Sequence, residues 1–251
     1  MCGNPDGAGY GSGMNYQGQF SVVIPTLQRS DDLHDVVELC AEHPLVAEVL
    51  VINNATAPLT FESGKVRVLD QGENIFVNPA WNLGAREARA EYLAIINDDV
   101  LFAPEAFDVA AKALRRRVFG VVGPDRSAFH GGPGRARATV ARPSGTIFGF
   151  GVFMCLRRRD YRPIPEEMRI WGGDDWLITT SPRPPGAILG VPFETEMSTT
   201  SGSPEIQALR QREQEIADRI LPPLHGSKWW HRPWHWIETA RTYRHQITSG
   251  R

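Results

Sequence analysis

The apolar residues fall in short blocks, each closed by polar or turn-forming residues, and the blocks alternate in period. Phe20 to Ile24 is a continuous apolar run ended by Pro25-Thr26, as a buried strand requires. Ser30-Asp31-Asp32 then opens a helix, its acids placed where the helix dipole favours them, that runs to about His43 and stops before Pro44. Glu48 to Ile52 is a second strand ending in Asn53-Asn54-Ala55-Thr56, and Val66 to Leu69 a short third. Asp70 to Pro79 reads as a loop into a helix from about Ala80 to Ala90. Tyr92 to Ile96 is the next strand, and Pro104 opens a helix that ends near Arg117. This alternation predicts an α/β fold with a Rossmann-like, mostly parallel sheet flanked by helices.

The second half is less regular. Gly131 to Pro143 is rich in Gly and Arg and reads as a mobile loop, and Thr146 to Leu156 as a core strand with close backbone approach at its glycines. Ala187 to Val191 is the last sheet strand expected. Ser203-Pro204-Glu205 starts a helix running to about Ile220, with Ile206, Leu209, Ile216 and Ile220 on one face. Beyond it, Trp229 to Trp236 holds four of the seven tryptophans, read either as packing onto the main body or as a stacking lid over a sugar or partner surface.

Composition narrows the class. The 251 residues are 41% hydrophobic and 22% charged, with a formal charge of −2, which gives no general attraction to nucleic acid or membrane. Three cysteines far apart in sequence, Cys2, Cys40 and Cys155, suggest reduced thiols in a cytoplasmic setting. The first 18 residues are rich in Gly, Asn and Ser without an apolar core, so a tail is expected rather than a secretory signal. No apolar run reaches the length of a membrane helix.

Parallel strands carry their C-terminal ends to one edge, where ligands bind in open α/β sheets. Thr26, Asn53-Asn54 and Asn97-Asp98-Asp99 should converge there. Adjacent carboxylates repel, and burial raises their cost unless a cation compensates; a hard ion such as Mg2+ or Mn2+ suits oxygen ligands and substrate phosphates. A plain strand–turn boundary accounts for the same residues. A second pair, Asp174-Asp175, lies after Gly172-Gly173 and between Trp171 and Trp176, a setting for a general base of raised pKa or for an ordinary helix start. Asn74, Asn78 and Asn82 surround a helix N-terminus able to face an anion, with Arg86 and Arg89 adding charge, or else serve as caps. Arg115 to Arg117, Arg135, Arg137 and Arg142, and Arg157 to Arg159 form either a track for a polyanion or a solvated surface. Gly-x-Gly-x-x-Gly, Walker and Gly-x-Ser-x-Gly motifs are missing, which disfavours dinucleotide, P-loop and serine-hydrolase chemistry.

Together these motifs resemble family 2 glycosyltransferases of the GT-A fold. Phe20-Ser-Val-Val-Ile-Pro-Thr26 with Val51-Ile-Asn-Asn-Ala55 is similar to that family's opening strand and "VNNGS" turn. Asn74 through Asp99 is similar to its "N-x-G…ARN-x-G…EYLxxLNDD" stretch, and Trp171 to Trp176 to its acceptor-side "ED" or "DD" motif, so the likeness covers about Phe20 to Ser203. The resemblance implies an inverting transfer of a sugar from a nucleotide-diphosphate sugar, UDP-linked, to a hydroxyl acceptor. Thr26, Arg29, Asn53, Asn54, Asn78, Asn82 and Asp98 would then lie on the nucleotide-sugar, Asp99 and Glu196 on Mn2+ or Mg2+, and Asp175, or else Asp174, would be the base. Asn97 stands where a strict Asp-x-Asp has its first acid, and the Glu194 to Thr200 region lacks the histidine ligand of many relatives. The implied plan is a tail over 1–18, a catalytic domain over 19–202 with a nucleotide-sugar half (19–103) and an acceptor half (104–202), and an extension over 203–251. The acceptor (saccharide, protein or modified nucleobase) stays open. The alternatives are a sugar-phosphate nucleotidyltransferase and a catalytically inactive sugar-binding module.

Overall fold

The structure, a computed structural model, describes residues 16–132, 134–141, 149–195, 204–221, 226–233 and 235–236. Its first half follows β1 (Phe20–Thr26), α1 (Leu33–Glu42), β2 (Val46–Asn53), β3 (Val66–Asp70), α2 (Val77–Glu87), β4 (Tyr92–Ile96), β5 (Val100–Phe102) and α3 (Glu105–Arg115). The second half adds β6 (Val121–Pro124), β7 (Arg137–Val140), β8 (Phe153–Arg157), α4 (Gly173–Thr180), β9 (Gly186–Leu189), β10 (Phe193–Thr195) and α5 (Pro204–Ile220). Eight strands form one sheet in the order β3-β2-β1-β4-β8-β6-β9-β7, and β10 pairs with β5 in a small second sheet. The β3-β2-β1-β4 half is parallel throughout, whereas β8 runs antiparallel to both β4 and β6.

Strand alternation divides the core into two layers. Phe20, Val22 and Ile24 of β1 join the layer under α1 and α3, and Val23 joins the layer under α2. Leu33, Val36, Val37, Cys40 and Ala41 are the buried positions of α1, one stripe at helical spacing. Cys155 of β8 is buried in that same layer. In α2, Gly84 lies so close to β1 that a β-carbon there would sit 2.3 Å from Val23 Cγ1, which explains a glycine inside a helix. Arg157, almost fully buried, donates to Leu114 O at the end of α3 (2.8 Å) and to Phe119 O (3.0 Å), fixing α3 to β8. Among the described residues no helix is long and apolar enough to cross a membrane.

The structure corrects several sequence expectations. Helix α2 begins at Val77, three residues before the expected start, because Pro79 occupies its first turn, where a missing N–H is tolerated. The Gly/Arg-rich stretch after Gly131 contains strand β7, an edge strand with Arg137, Thr139 and Val140 exposed and so without apolar alternation. The strand expected from Thr146 begins only at Phe153, since Gly149 takes a φ of 86° and residues 149–152 turn. The three-residue strands β5 and β10 are too short to show a period. Most of the 1–18 tail, residues 142–148 and Ser203 lie outside the described residues, as do the side chains of Ile206 and Leu209.

Candidate functional site

The C-terminal ends of the parallel strands do meet at one edge. Register pairs Thr26 with Asn53 and Asn53 with Asp70, and β4 lies on the other side of β1. The Thr26 hydroxyl donates to Asp98 Oδ2 (2.5 Å) and accepts from the Gln28 amide (2.8 Å). Asn53, fully buried, donates to Asp70 Oδ1 (2.7 Å) and Ala57 O (2.8 Å) and accepts from Gln28 Nε2 (2.9 Å), so its amide braces the loops beside β2. Asn54 Oδ1 is buried without a hydrogen-bond partner. Arg29 is exposed at the rim. Sequence reasoning missed Gln28 and Asp70; Asp70 ends β3 as Asn53 ends β2, and that position was the available signal.

The Asn97-Asp98-Asp99 turn follows β4, and the Asn97 amide donates to Val152 O (2.9 Å) just before β8. Burial pushes the Asp98 carboxyl up, with the Thr26 hydroxyl pulling it partly back. Asp99 is also pushed up, by burial first and then by the charge of Asp98. Asp99 Oδ1 is buried with no hydrogen-bond donor. An orphaned carboxylate oxygen beside a second acid is the donor set that a hard divalent cation completes. Asp99 and Asp98 fit such an ion on that ground. Glu196 lies outside the described residues, and among these no third His, Cys, Asp or Glu joins the pair.

Asp174 and Asp175 sit in the first turn of α4. Gly172 ahead of them is left-handed (φ 75°), and a β-carbon at Gly173 would lie 2.1 Å from Asn78 Oδ1, so glycine is required at both positions. Asn78 holds this turn from α2: its Nδ2 donates to Met168 O (3.0 Å) and Trp171 O (3.3 Å), and its backbone amide to Arg169 O (2.9 Å). A second brace comes from α5, where Glu213 Oε2 accepts from the amides of Ile170 and Trp171, each at 2.8 Å. Burial raises the Asp174 carboxyl, and Asp175 is pushed up to about 7, by burial first and the Asp174 charge second. Among the described residues no cation offsets either shift. A carboxylate with a raised pKa is, once deprotonated, a stronger proton acceptor than a solvent-exposed aspartate.

The two acid pairs are linked through the start of β8. Ile96 pairs with Phe153, which places residues 151–152 beside the Asn97–Asp99 turn, and a β-carbon at Gly151 would lie 3.5 Å from Asp174 Oδ2. Residues 151–152 thus lie against both carboxylate pairs. Asn82 is a different matter. Its Nδ2 donates to Ile164 O (2.9 Å), and its Oδ1 accepts from Tyr161 (2.8 Å) and the Ile164 amide (2.9 Å), so every group on it holds the 161–164 segment. Asn74 accepts from the Phe76 amide (2.9 Å). In the tryptophan-rich segment, Trp230 is buried and donates to Ser181 O (3.2 Å), and His231 Nε2 lies 3.0 Å from Thr179 O, whereas Trp229 and Trp236 are exposed. Packing on α4 accounts for the first two residues.

Comparison with known proteins points the same way. The family model described as Glycosyl transferase family 2 matches residues 21–151. No curated protein matches the chain at a significant level. Among solved structures, S. aureus TarS is similar at 14% identity with a TM-score of 0.56, covering 80% of this chain and 43% of that one. The chain thus spans less than half the length of that protein. TarS 1-349 in complex with UDP-GlcNAc is similar at 16% identity and TM-score 0.57, covering 79% of this chain and 66% of that one. The mannosyltransferase PcManGT from Pyrobaculum calidifontis, in complex with GDP-Man and Mn2+, is similar at 15% identity and TM-score 0.58, covering 92% and 75%. At these identities the likeness is one of fold.

Proposed function

The chain belongs to glycosyl transferase family 2, and on that footing we propose that it moves a sugar from a nucleotide-diphosphate sugar, UDP-linked, to a hydroxyl acceptor with inversion and with help from a divalent cation. The observation that carries this reading is the approach of two partly buried carboxylate pairs to the same residues 151–152, the first with an orphaned oxygen on Asp99 and the second with Asp175 pushed up to about 7. Thr26 and Asn54 lie against the nucleotide base, Asn54 through its unpartnered Oδ1, and Asp98 against the ribose or sugar. Asp99 would hold Mn2+ or Mg2+, which would supply positive charge to offset that of the departing diphosphate. Asp175 takes the proton of the incoming hydroxyl. The acceptor hydroxyl oxygen then bonds the anomeric carbon as the carbon–oxygen bond to the diphosphate breaks on the opposite face. A single base suffices for that one displacement. Asn78 and Asn82 serve the site from beneath, by fixing the 161–171 segment that carries the acid pair.

Two measurements test the reading. A thermal-shift screen of nucleotide-sugars with and without Mn2+ should show a rise in melting temperature for UDP-sugars that grows with the metal. Asp99→Asn should lose the metal-dependent part of that rise. Asp175→Asn should bind the donor as wild type yet lose transfer by about two to four orders of magnitude. Transfer by both variants at the wild-type rate would remove these roles.

A further inference from the structure

The turn that carries Asp174 and Asp175 has little conformational preference of its own. Gly172 and Gly173 are the least restricted residues available, α4 spans only eight residues, and its N-cap makes no side-chain bond. The position of the two carboxylates is therefore set from outside the turn. Two side chains do this: Asn78 from α2, through carbonyls, and Glu213 from α5, through amides. They converge on Trp171, whose amide is held by Glu213 and whose carbonyl is held by Asn78.

We propose that Glu213 is the positioning residue of the Asp174–Asp175 base, so that α5, which lies beyond the residues 21–151 matched by the family, is a working part of the acceptor side; this rests on reading Asp175 as the base. Glu213 is 1% exposed, and one of its oxygens accepts both amide protons at 2.8 Å. A carboxylate receiving two N–H groups makes charge-assisted bonds, stronger than neutral ones, and fixes the two peptide planes relative to each other. Its other oxygen, Oε1, is buried without a donor. Burying a carboxylate with one oxygen unmet is costly, and the two amide bonds at Oε2 are what offset that cost; a Leu or Met would fill the space but leave both amides without their acceptor. Ala217, one helical turn on, closes against the same glycine: a β-carbon at Gly172 would lie 3.5 Å from Ala217 Cβ. The helix thus grips the turn at its amides and at its αL residue. Displacement of the turn by about 1 Å is enough to cost a hundredfold in rate.

The experiment measures turnover of a UDP-sugar, with water standing in for the acceptor hydroxyl, together with UDP affinity. Glu213→Ala and Glu213→Asp, the latter a methylene too short to reach, should lower kcat by about tenfold to a hundredfold. UDP affinity should stay unchanged, and the apparent pKa of the kcat–pH profile should move. Glu213→Gln, whose carbonyl can take the place of Oε2, should recover most of the rate. Amide exchange at Ile170 and Trp171 should quicken in Glu213→Asp and not in Glu213→Gln. If Glu213→Ala fails to fold, the Asp and Gln variants decide the matter alone. Wild-type kcat and pH profile in all soluble Glu213 variants, with Asp175→Asn inert, overturns the positioning role while sparing the base. Wild-type turnover by Asp175→Asn overturns the base reading and this proposal with it.

Discussion

At the scale of the residue, the acid pair on α4 costs the fold stability. Asp175 is held at about 7 against an ordinary 3.8, so the folded state binds a proton that the unfolded state has released across that interval. Stability therefore falls as pH rises from about 4 through 7, the reverse of a salt-bridged carboxylate. Asp175→Asn should melt higher than wild type at pH 7.5, with the difference shrinking toward pH 4; calorimetry across that range checks it. Equal pH dependence in the two proteins would show that the carboxyl is not strained. Asp98, Asp99, Asp174 and Asp175 were legible as candidates because paired acids after an apolar run or a double glycine stand out in sequence. What Asn82 holds was not legible. An asparagine near a helix start looks the same whether its amide meets an anion or, as here, a backbone carbonyl 82 residues away.

At the scale of the element, legibility tracked burial. Strand β4 was read to the residue because all of Tyr92 to Ile96 is buried. Strand β7 was read as a loop because an edge strand that buries little has no apolar alternation to show. Helix α2 depends on a contact that sequence does not announce, the seating of Gly84 on Val23. Alanine there improves helix propensity by about 1 kcal/mol. The added methyl, however, would lie 2.3 Å from a buried, β-branched side chain that cannot swing aside. Overpacking of this kind costs about 1–3 kcal/mol, so the clash should win. Gly84→Ala is expected to lower the melting temperature by a few degrees, measured by thermal unfolding. An unchanged or raised value would mean that α2 can shift on the sheet. Because α2 also carries Asn78, the same variant should turn over substrate more slowly.

At the scale of the whole molecule, the alternation of strands and helices conveyed the parallel half, and with it the edge where the site lies. It did not convey the antiparallel run of β8, which reverses the chain through the middle of the sheet and brings residues 151–152 between the two acid pairs. That reversal depends on contacts between segments some sixty residues apart in sequence, Tyr92 with Arg157 among them, and no local pattern encodes them. Helix α5 was read as an appendage for the same reason: the buried Glu213 looks in sequence like any other glutamate on a charged helix.

The layer beneath α1 has a practical consequence. Cys40 and Cys155 come from distant parts of the chain yet lie near each other there, both fully buried, with their thiols pushed well above the ordinary range by burial. Neither sulfur can meet a modifying reagent until its element detaches, so the two are built-in clocks for how this protein comes apart. Under native conditions, mass-resolved alkylation should tag both at one slow rate if α1 and the middle of the sheet release together. Earlier tagging of Cys155 would reveal that the antiparallel half opens by itself, with the parallel half still closed.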